Sequence, residues 1–349
     1  MKKEKILIFN ISTDSNNTSL GFAINWLNQL SEYYIEIDVV TLNKGATHML
    51  NDNINVYSHD SINKITKFIE IRKTIKNLLK NNEYKFCLSH MTTSLTLVSS
   101  SIFRFQNLQS ILWYTHKGPT TFIKKIVLYL GALFSDRIIT ASENSFPLKF
   151  KKVTSIGHAI NYEDFYRSRV NTESKDFLIL SRISKSKNIE ESIEGFLNSV
   201  YGESQSITIV GGPLTKQDVD YESYLKNKYS EFRNISFVGS IPHSSLSTYI
   251  DKTGFHINNT PKGFYDKSVL ETLSSGIINF YMNSEYDKNI HPEYLNILKF
   301  DGTKDDLTKS INLISKLEKD LLLEIIKFSQ EKVKDESLKT LHHRILKVI

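Results

Sequence analysis

The chain lacks most of the features that fix a protein's class at a glance. It holds one cysteine, Cys87, inside an apolar stretch. No disulfide can close within the chain, and a reducing cytoplasm is the expected setting. Long apolar runs are missing as well: the longest, from Ile126 to Phe134, falls far short of the roughly 20 residues that span a bilayer. The opening MKKEKILIFNIS sets cations before apolar residues as a signal peptide does. Its run from Ile6 to Phe9 is too short, however, and Asn10 ends it, so the segment reads as a first strand. There is no P-loop and no G-x-G-x-x-G, which removes support for an ATP or NAD site. His342 and His343 have no companion ligands at metal spacing, and low-complexity segments and long linkers are absent. The chain is therefore expected in the cytoplasm, soluble or peripheral at the inner face of the membrane, with no metal or other cofactor.

What is present is the composition of an ordinary globular protein, with 40% hydrophobic and 23% charged residues. A length of 349 residues is long for one core and natural for two domains of about 170 residues each. Strand and helix patterns alternate throughout, which predicts an α/β fold with parallel sheets. In the first half, strands are expected at 5–10, 35–42, 85–90, 109–115, 136–141 and 152–157. The polar stretch 161–176, NYEDFYRSRVNTESKD, lacks apolar periodicity and is the expected boundary. The predicted domains are 1–165 and 170–335, with 336–349 returning to pack on the first.

Charge is unevenly divided. Residues 1–160 hold 19 Lys and Arg against 11 Asp and Glu, a net of +8, whereas 161–349 hold 25 against 27, a net of −2. Much of the excess lies on the helix expected at 61–80, with Lys64, Lys67, Arg72, Lys73, Lys76 and Lys80, and beside the apolar helix at 120–134, with Lys124 and Lys125. Such a face is either a solvated helix surface or a docking surface for anionic lipid, where each cation contributes about 1 kcal/mol. No recognition motif accompanies the charge, so nucleic acid is not an expected partner.

Two segments carry chemistry. The first, NTPKGFYDKSVLETLSSG at 259–276, places Glu271 just inside a helix behind a Gly-containing turn. A helix N-terminus offers unpaired amides to anionic oxygens, and a carboxylate in its first turns can accept two hydrogen bonds from a ribose diol. Alternatively the helix is an ordinary amphipathic one, with Val269, Leu270 and Leu273 inward and Glu271 in water. The second, FLILSRISKSKNIEESIEGF at 177–196, runs an apolar strand into a basic loop and a helix. Arg182 leaves the strand's carboxyl end and Lys187 precedes the helix, a planar donor fork and a mobile point charge suited to a diphosphate. In open α/β sheets ligands gather beyond the carboxyl ends of the strands, where these cations lie. Asp218-Val219-Asp220 imitates a metal-binding D-x-D but opens the helix after Gly211-Gly212, where acids favour the positive helix end.

Together these segments resemble the retaining glycosyltransferases of family 4, whose GT-B fold sets two Rossmann-like domains facing across a cleft. The order matches too: after Lys187 come SITIVGG at 206–212, ISFVGSIP at 235–242, FHINN at 255–259 and the Glu271 helix. The resemblance covers residues 170–285, and the first half matches in layout alone. It implies that Arg182 and Lys187 neutralise the donor diphosphate and that Glu271 binds ribose. Where the family often has a sugar-binding glutamate, eight positions before Glu271, this chain has Gly263. A variant turn, Gly263, Asp266 and Lys267 before Val269, Leu270 and Glu271, also resembles a subset of the family. In it the donor sugar is left to amides near Phe264 and Tyr265 and to Asp266 or Lys267, with Gly212 and Ser268 completing the donor side.

In the first half, Asn16, Asn17 and His90 follow strands as acceptor-side candidates. His116 matches a loop histidine that contacts the donor sugar in relatives, which groups it with Arg182 and Lys187 as catalytic. His158, in VTSIGHAIN, is a weaker candidate. The first loop, STDSNNTS, lacks the paired glycines often found there in family 4. The implied activity is transfer of a sugar from a nucleoside diphosphate sugar to a hydroxyl of a saccharide or lipid-linked acceptor. A GT-B nucleotide-sugar isomerase and a non-catalytic partner subunit are the alternatives.

Overall fold

The computed structural model describes residues 4–17, 20–60, 63–115, 118–119, 121–168 and 172–349, apart from the side chains of Lys64 and Ser244. The chain forms two compact units, residues 1–159 with 338–349, and residues 160–337.

The first unit runs β1 (Lys5–Thr13), α1 (Ala23–Ser31), β2 (Glu36–Lys44), β3 (Ile54–Tyr57), α2 (Lys64–Asn81), β4 (Tyr84–His90), α3 (Thr93–Gln106), β5 (Ser110–Trp113), α4 (Phe122–Phe134), β6 (Arg137–Thr140) and β7 (Val153–Ser155). The strands form one parallel sheet in the order β3-β2-β1-β4-β5-β6-β7. Both faces are covered, so the apolar residues of β1, Ile6 to Phe9, run consecutively rather than alternating. Its period of two still sorts the side chains. Ile6 and Ile8 pack with Trp26, Leu27 and the returning Leu341 and Ile345, whereas Leu7 and Phe9 pack with Ile71, Ile75, Ile102 and Phe103. Each such fully buried side chain contributes about 1.5–3 kcal/mol. Cys87 belongs to the second face, and burial pushes its thiol far up, out of reach of ionisation.

The second unit runs α5 (Tyr162–Phe165), β8 (Phe177–Leu180), α6 (Ile189–Leu197), β9 (Ile207–Val210), α7 (Lys216–Lys228), β10 (Ile235–Gly239), α8 (Ser247–Ile250), β11 (Phe255–Asn258), α9 (Lys267–Ser274), β12 (Ile278–Tyr281), α10 (Leu295–Leu298), α11 (Lys304–Ile314) and α12 (Lys319–Lys334). Its parallel sheet is ordered β10-β9-β8-β11-β12. In both sheets the strand order reverses beside the first strand, at β1/β4 and at β8/β11. Such switch points leave a crevice at the carboxyl ends where ligands bind in open α/β sheets.

The structure differs from the expected elements in two places. Strand β3 was not expected, because NINVY carries just two aliphatic residues between asparagines; as an edge strand it is held by register to β2, with Ile37 opposite Ile54 and Val39 opposite Val56. Residues 161–168, expected to open the boundary, are not a linker. Tyr162 and Phe165 of α5 are buried, and the Ile160 amide donates to Glu336 O at 3.1 Å within the second unit. The chain leaves this unit after Ser337, and α13 (Leu341–Leu346) packs in the core of the first, where Arg344 Nη1 donates to Ile156 O.

Candidate nucleotide-sugar site

In the second unit the loops after β8, β9, β10 and β11 carry the residues of interest. Arg182, two positions beyond β8, is exposed. Its guanidinium makes no hydrogen bond or ion pair among the described residues; the Asp218 carboxyl, against desolvation, is held low by hydrogen bonds from Thr215 first and by the Arg182 charge last. Lys187 is the opposite case. Only 6% exposed, it sits in a 3-10 turn ahead of Asn188, whose left-handed backbone (φ 45°) starts α6. Its Nζ lies 2.6 Å from Asp266 Oδ2 and 5.2 Å from the centroid of the Phe264 ring.

Asp266 is the hub of this corner. The same Oδ2 accepts from Asn258 Nδ2 at 3.2 Å and from Thr260 Oγ1 at 3.1 Å. Asp266 occupies the N-cap position of α9 but makes no capping bond there; its carboxylate is committed to Lys187 instead. Its amide donates to Tyr286 Oη at 2.5 Å. The turn before it is equally engaged. Gly263 has φ 89°, in the left-handed region, and its amide donates to Glu285 Oε2 at 3.1 Å; the Phe264 amide donates to Pro261 O at 3.2 Å. Tyr265 points into the core, its hydroxyl donating to Glu336 Oε1 at 2.5 Å. Amides near Phe264 and Tyr265 are expected to face a donor sugar; here those of Gly263, Phe264 and Asp266 are bonded within the unit.

Glu271 does not lie in water as an ordinary amphipathic helix would have it. It is 6% exposed, one turn into α9, and its Oε1 is 3.0 Å from His243 Nε2. His243 is exposed, in the loop after β10. The hydrogen bond it donates to Glu271 raises its pKa above the usual histidine value, against a smaller desolvation effect. Lys267, half-buried at the start of α9, is pushed down to about 8 by desolvation, offset in part by the Glu271 charge. Ser268 follows it, and its carbonyl accepts from Thr272 Oγ1 at 2.9 Å.

The glycine pair after β9 has a packing reason. A Cβ on Gly211 (φ 136°) would lie 1.9 Å from Ser181 O, and one on Gly212 would lie 2.3 Å from Ser240 Oγ. Only glycine lets the three strand ends approach so closely. Asp218 closes a capping box with Thr215: the Thr215 amide donates to Asp218 Oδ2 at 3.0 Å and the Asp218 amide to Thr215 Oγ1 at 3.2 Å. Among the described residues no group of three or more His, Cys, Asp or Glu is placed to hold a metal ion.

The first unit has its own polar cluster at the β1/β4 switch point. His90 ends β4, is 5% exposed, and places Nδ1 3.1 Å from Asn10 Oδ1 of β1. Its ring packs edge-on against Trp26 at 5.3 Å and Trp113 at 5.0 Å. The next residue, Met91, has φ 58°, an uncommon value for a residue with a side chain. Asn17 shapes the loop after β1, its Oδ1 accepting from the Leu20 amide at 2.8 Å. Asn16 is exposed, its amide donating to Asp14 Oδ1 at 3.0 Å. His158 is buried. His116 lies outside the described residues.

Several residues of these clusters escaped the sequence reading: His243, Asn258, Thr260 and Glu285 in the second unit, and Asn10, Trp26 and Trp113 in the first. His243 had one available signal, its place in the loop that follows a strand's carboxyl end.

Two parallel Rossmann-like sheets with polar clusters at their switch points define a GT-B fold, the architecture of a class of glycosyltransferases. The family model described as Glycosyl transferase 4-like matches residues 15–142, in the half that the sequence reading matched by layout alone. Among solved structures, HepE of Anabaena, determined in complex with UDP and glucose, is 12% identical with a TM-score of 0.73, covering 99% of both chains. Sucrose-phosphate synthase from Thermosynechococcus elongatus is 13% identical with a TM-score of 0.71, covering 99% of this chain and 98% of that one. The lipopolysaccharide outer core galactosyltransferase WaaB is 11% identical with a TM-score of 0.65, covering 99% and 100%. No curated protein matched the sequence. Among the described residues no helix is long and apolar enough to cross a membrane.

Proposed function

We propose that this protein is a retaining glycosyltransferase of family 4 type. It moves a sugar from a nucleoside diphosphate sugar to a hydroxyl of a glycan or lipid-linked acceptor, in cell-surface polysaccharide or lipopolysaccharide synthesis. The observation that carries this reading is Glu271, a carboxylate buried one turn inside α9 and bonded to an imidazole on an exposed loop. A buried acid is retained where something answers its charge, and a ribose diol replacing His243 would do so. HepE, solved with UDP and glucose, supports the choice of ligand.

Arg182 supplies an available planar fork for the diphosphate. Lys187, paired with Asp266 at 2.6 Å, adds a second cation that the leaving phosphate can share. As the bond from C1 of the sugar to the diphosphate oxygen breaks, charge builds on that oxygen, and pre-placed donors stabilise it without reorganisation. The acceptor oxygen bonds to C1 and its proton passes to the departing diphosphate. In the first unit, Asn16, Asn17 and His90 serve the acceptor. No divalent metal is required, and the basic first unit contacts anionic membrane.

The test is release of free UDP or GDP from nucleotide sugars with and without candidate acceptors. Release that depends on acceptor, and falls about 100-fold or more in Arg182→Ala by analogy with loss of one oxyanion donor, fits transfer. Conversion of the sugar without acceptor would establish an isomerase instead.

A further inference from the structure

Helix α4 is apolar on the side it exposes as well as on the side it packs. The side packed on α3 is made of Leu128, Gly131 and Ala132, and it is close: a Cβ on Gly131 would lie 2.8 Å from Thr93 O. The side facing away is apolar along its length. Phe122 and Ile123 are 75% and 74% exposed, and Ile126, Tyr129, Leu133 and Phe134 are exposed behind them. At 3.6 residues per turn these positions fall in one sector of the helix, with Leu130 between them. Phe105, at the end of α3, is 91% exposed. An apolar sector of this extent on a soluble surface marks a contact.

The charge around it selects the contact. No Asp or Glu occurs from Tyr84 to Ser135. Lys124 and Lys125 stand exposed in the first turn of α4, and the Arg104 guanidinium carbon lies 5.9 Å from the centroid of the Phe134 ring. Lys149 and Lys151 are exposed on either side of Phe150, whose ring centroid is 5.8 Å from that of Tyr129. A second copy of the chain would bring the same cations to the same face and be repelled. An anionic lipid surface answers both features at once, taking the apolar sector below its headgroups and the lysines at their phosphates. The helix is about 20 Å long by its rise per residue, too short to span and suited to lying in the interface.

We propose that α4 is the membrane-docking element of this protein, inserting Phe122, Ile123 and Ile126 into an anionic leaflet with Lys124 and Lys125 at the phosphates. This deepens the membrane contact proposed above, and assigns it to α4 rather than to the cations of α2. The full chain is floated with vesicles of phosphatidylcholine, alone or with about a third phosphatidylglycerol. The expected result is binding to the acidic vesicles that weakens with salt. Phe122→Ser with Ile123→Ser should lower partitioning by about 100-fold, tenfold for each apolar side chain withdrawn. Lys124→Gln with Lys125→Gln should lower it by about 30-fold, and Lys73→Gln with Lys76→Gln by less. Unchanged partitioning of the Phe122 and Ile123 variant overturns the proposal, as does equal binding to neutral vesicles. Dimerisation without lipid that the same variant abolishes also overturns it, since a second copy then owns the face. Transfer to a soluble acceptor, measured on the same variants, reads the chemistry separately from the docking.

Discussion

Replacing Lys187 by alanine separates the two demands placed on this residue. At 2.6 Å and an effective dielectric of 20, its attraction to Asp266 is about 6 kcal/mol before desolvation. Most of that is offset by taking both charges out of water, so the pair itself adds little net stability. Removing one member is different, because it strands the other; such losses run to about 3–5 kcal/mol. Here the Lys187 side chain is 5% exposed and that of Asp266 23%, and Asp266 keeps its bonds from Asn258 and Thr260. The cost should therefore fall near the lower end, about 3 kcal/mol, or about 6–12 °C in Tm for a unit of this size. Asp266→Ala strands the more deeply buried cation and should cost at least as much. The double variant should regain part of the loss. Urea unfolding of the three variants, with UDP titration at a temperature where each is folded, measures both demands. A Lys187→Ala variant less than about 1 kcal/mol below the parent would refute the closed pair described here. If that variant also binds UDP unchanged, the diphosphate role falls with it.

The other expectations concern the same corner. Glu271→Gln should weaken UDP or GDP binding, and an unchanged dissociation constant would remove the ribose role. His243 has a raised pKa in the folded state, so its pairing with Glu271 stabilises the fold fully below about pH 6.5 and is lost as pH climbs through the raised value. If the ribose must displace His243, nucleotide affinity should rise over that same interval, and His243→Asn should flatten the curve; a wild-type affinity independent of pH would count against displacement. Activity in excess EDTA should match that in magnesium. Asp218→Asn should cost about 0.5–2 kcal/mol in stability as a weakened helix cap while turnover holds, and lost turnover in both tests would reinstate a metal. Gly263→Glu, which introduces an acid into this turn, should lower Tm rather than improve catalysis, because φ 89° strains any residue with a Cβ by about 1–2 kcal/mol; a gain in turnover would show that the turn tolerates the acid.

What could be read from the sequence was local. The apolar runs of β1, β4 and β8 announced buried parallel strands, and helical periodicity placed α9 with Glu271 inside it. The basic loop after β8 was legible because strand, cations and helix follow one another directly. What stayed hidden was pairing across distance. The sequence points Asp266 at the donor sugar, yet its carboxylate goes to Lys187, 79 positions away, and to Asn258 and Thr260. His90 and Asn10 meet 80 positions apart because β1 and β4 are neighbours in the sheet and not in the chain.

Gly263 shows how the two kinds of information combine. The resemblance set an acid against this glycine, and nothing in the residues around it gave a reason for glycine there. The structure supplies a backbone reason: a left-handed turn whose amide is fixed by Glu285, itself held by Asn283 Nδ2 at 3.1 Å. A glutamate at 263 would meet both the steric cost of that backbone and a like charge next to its own amide. Glu285 already places a carboxylate against this turn, so a glutamate at 263 is expected to need a change of Glu285 and of the turn's conformation together.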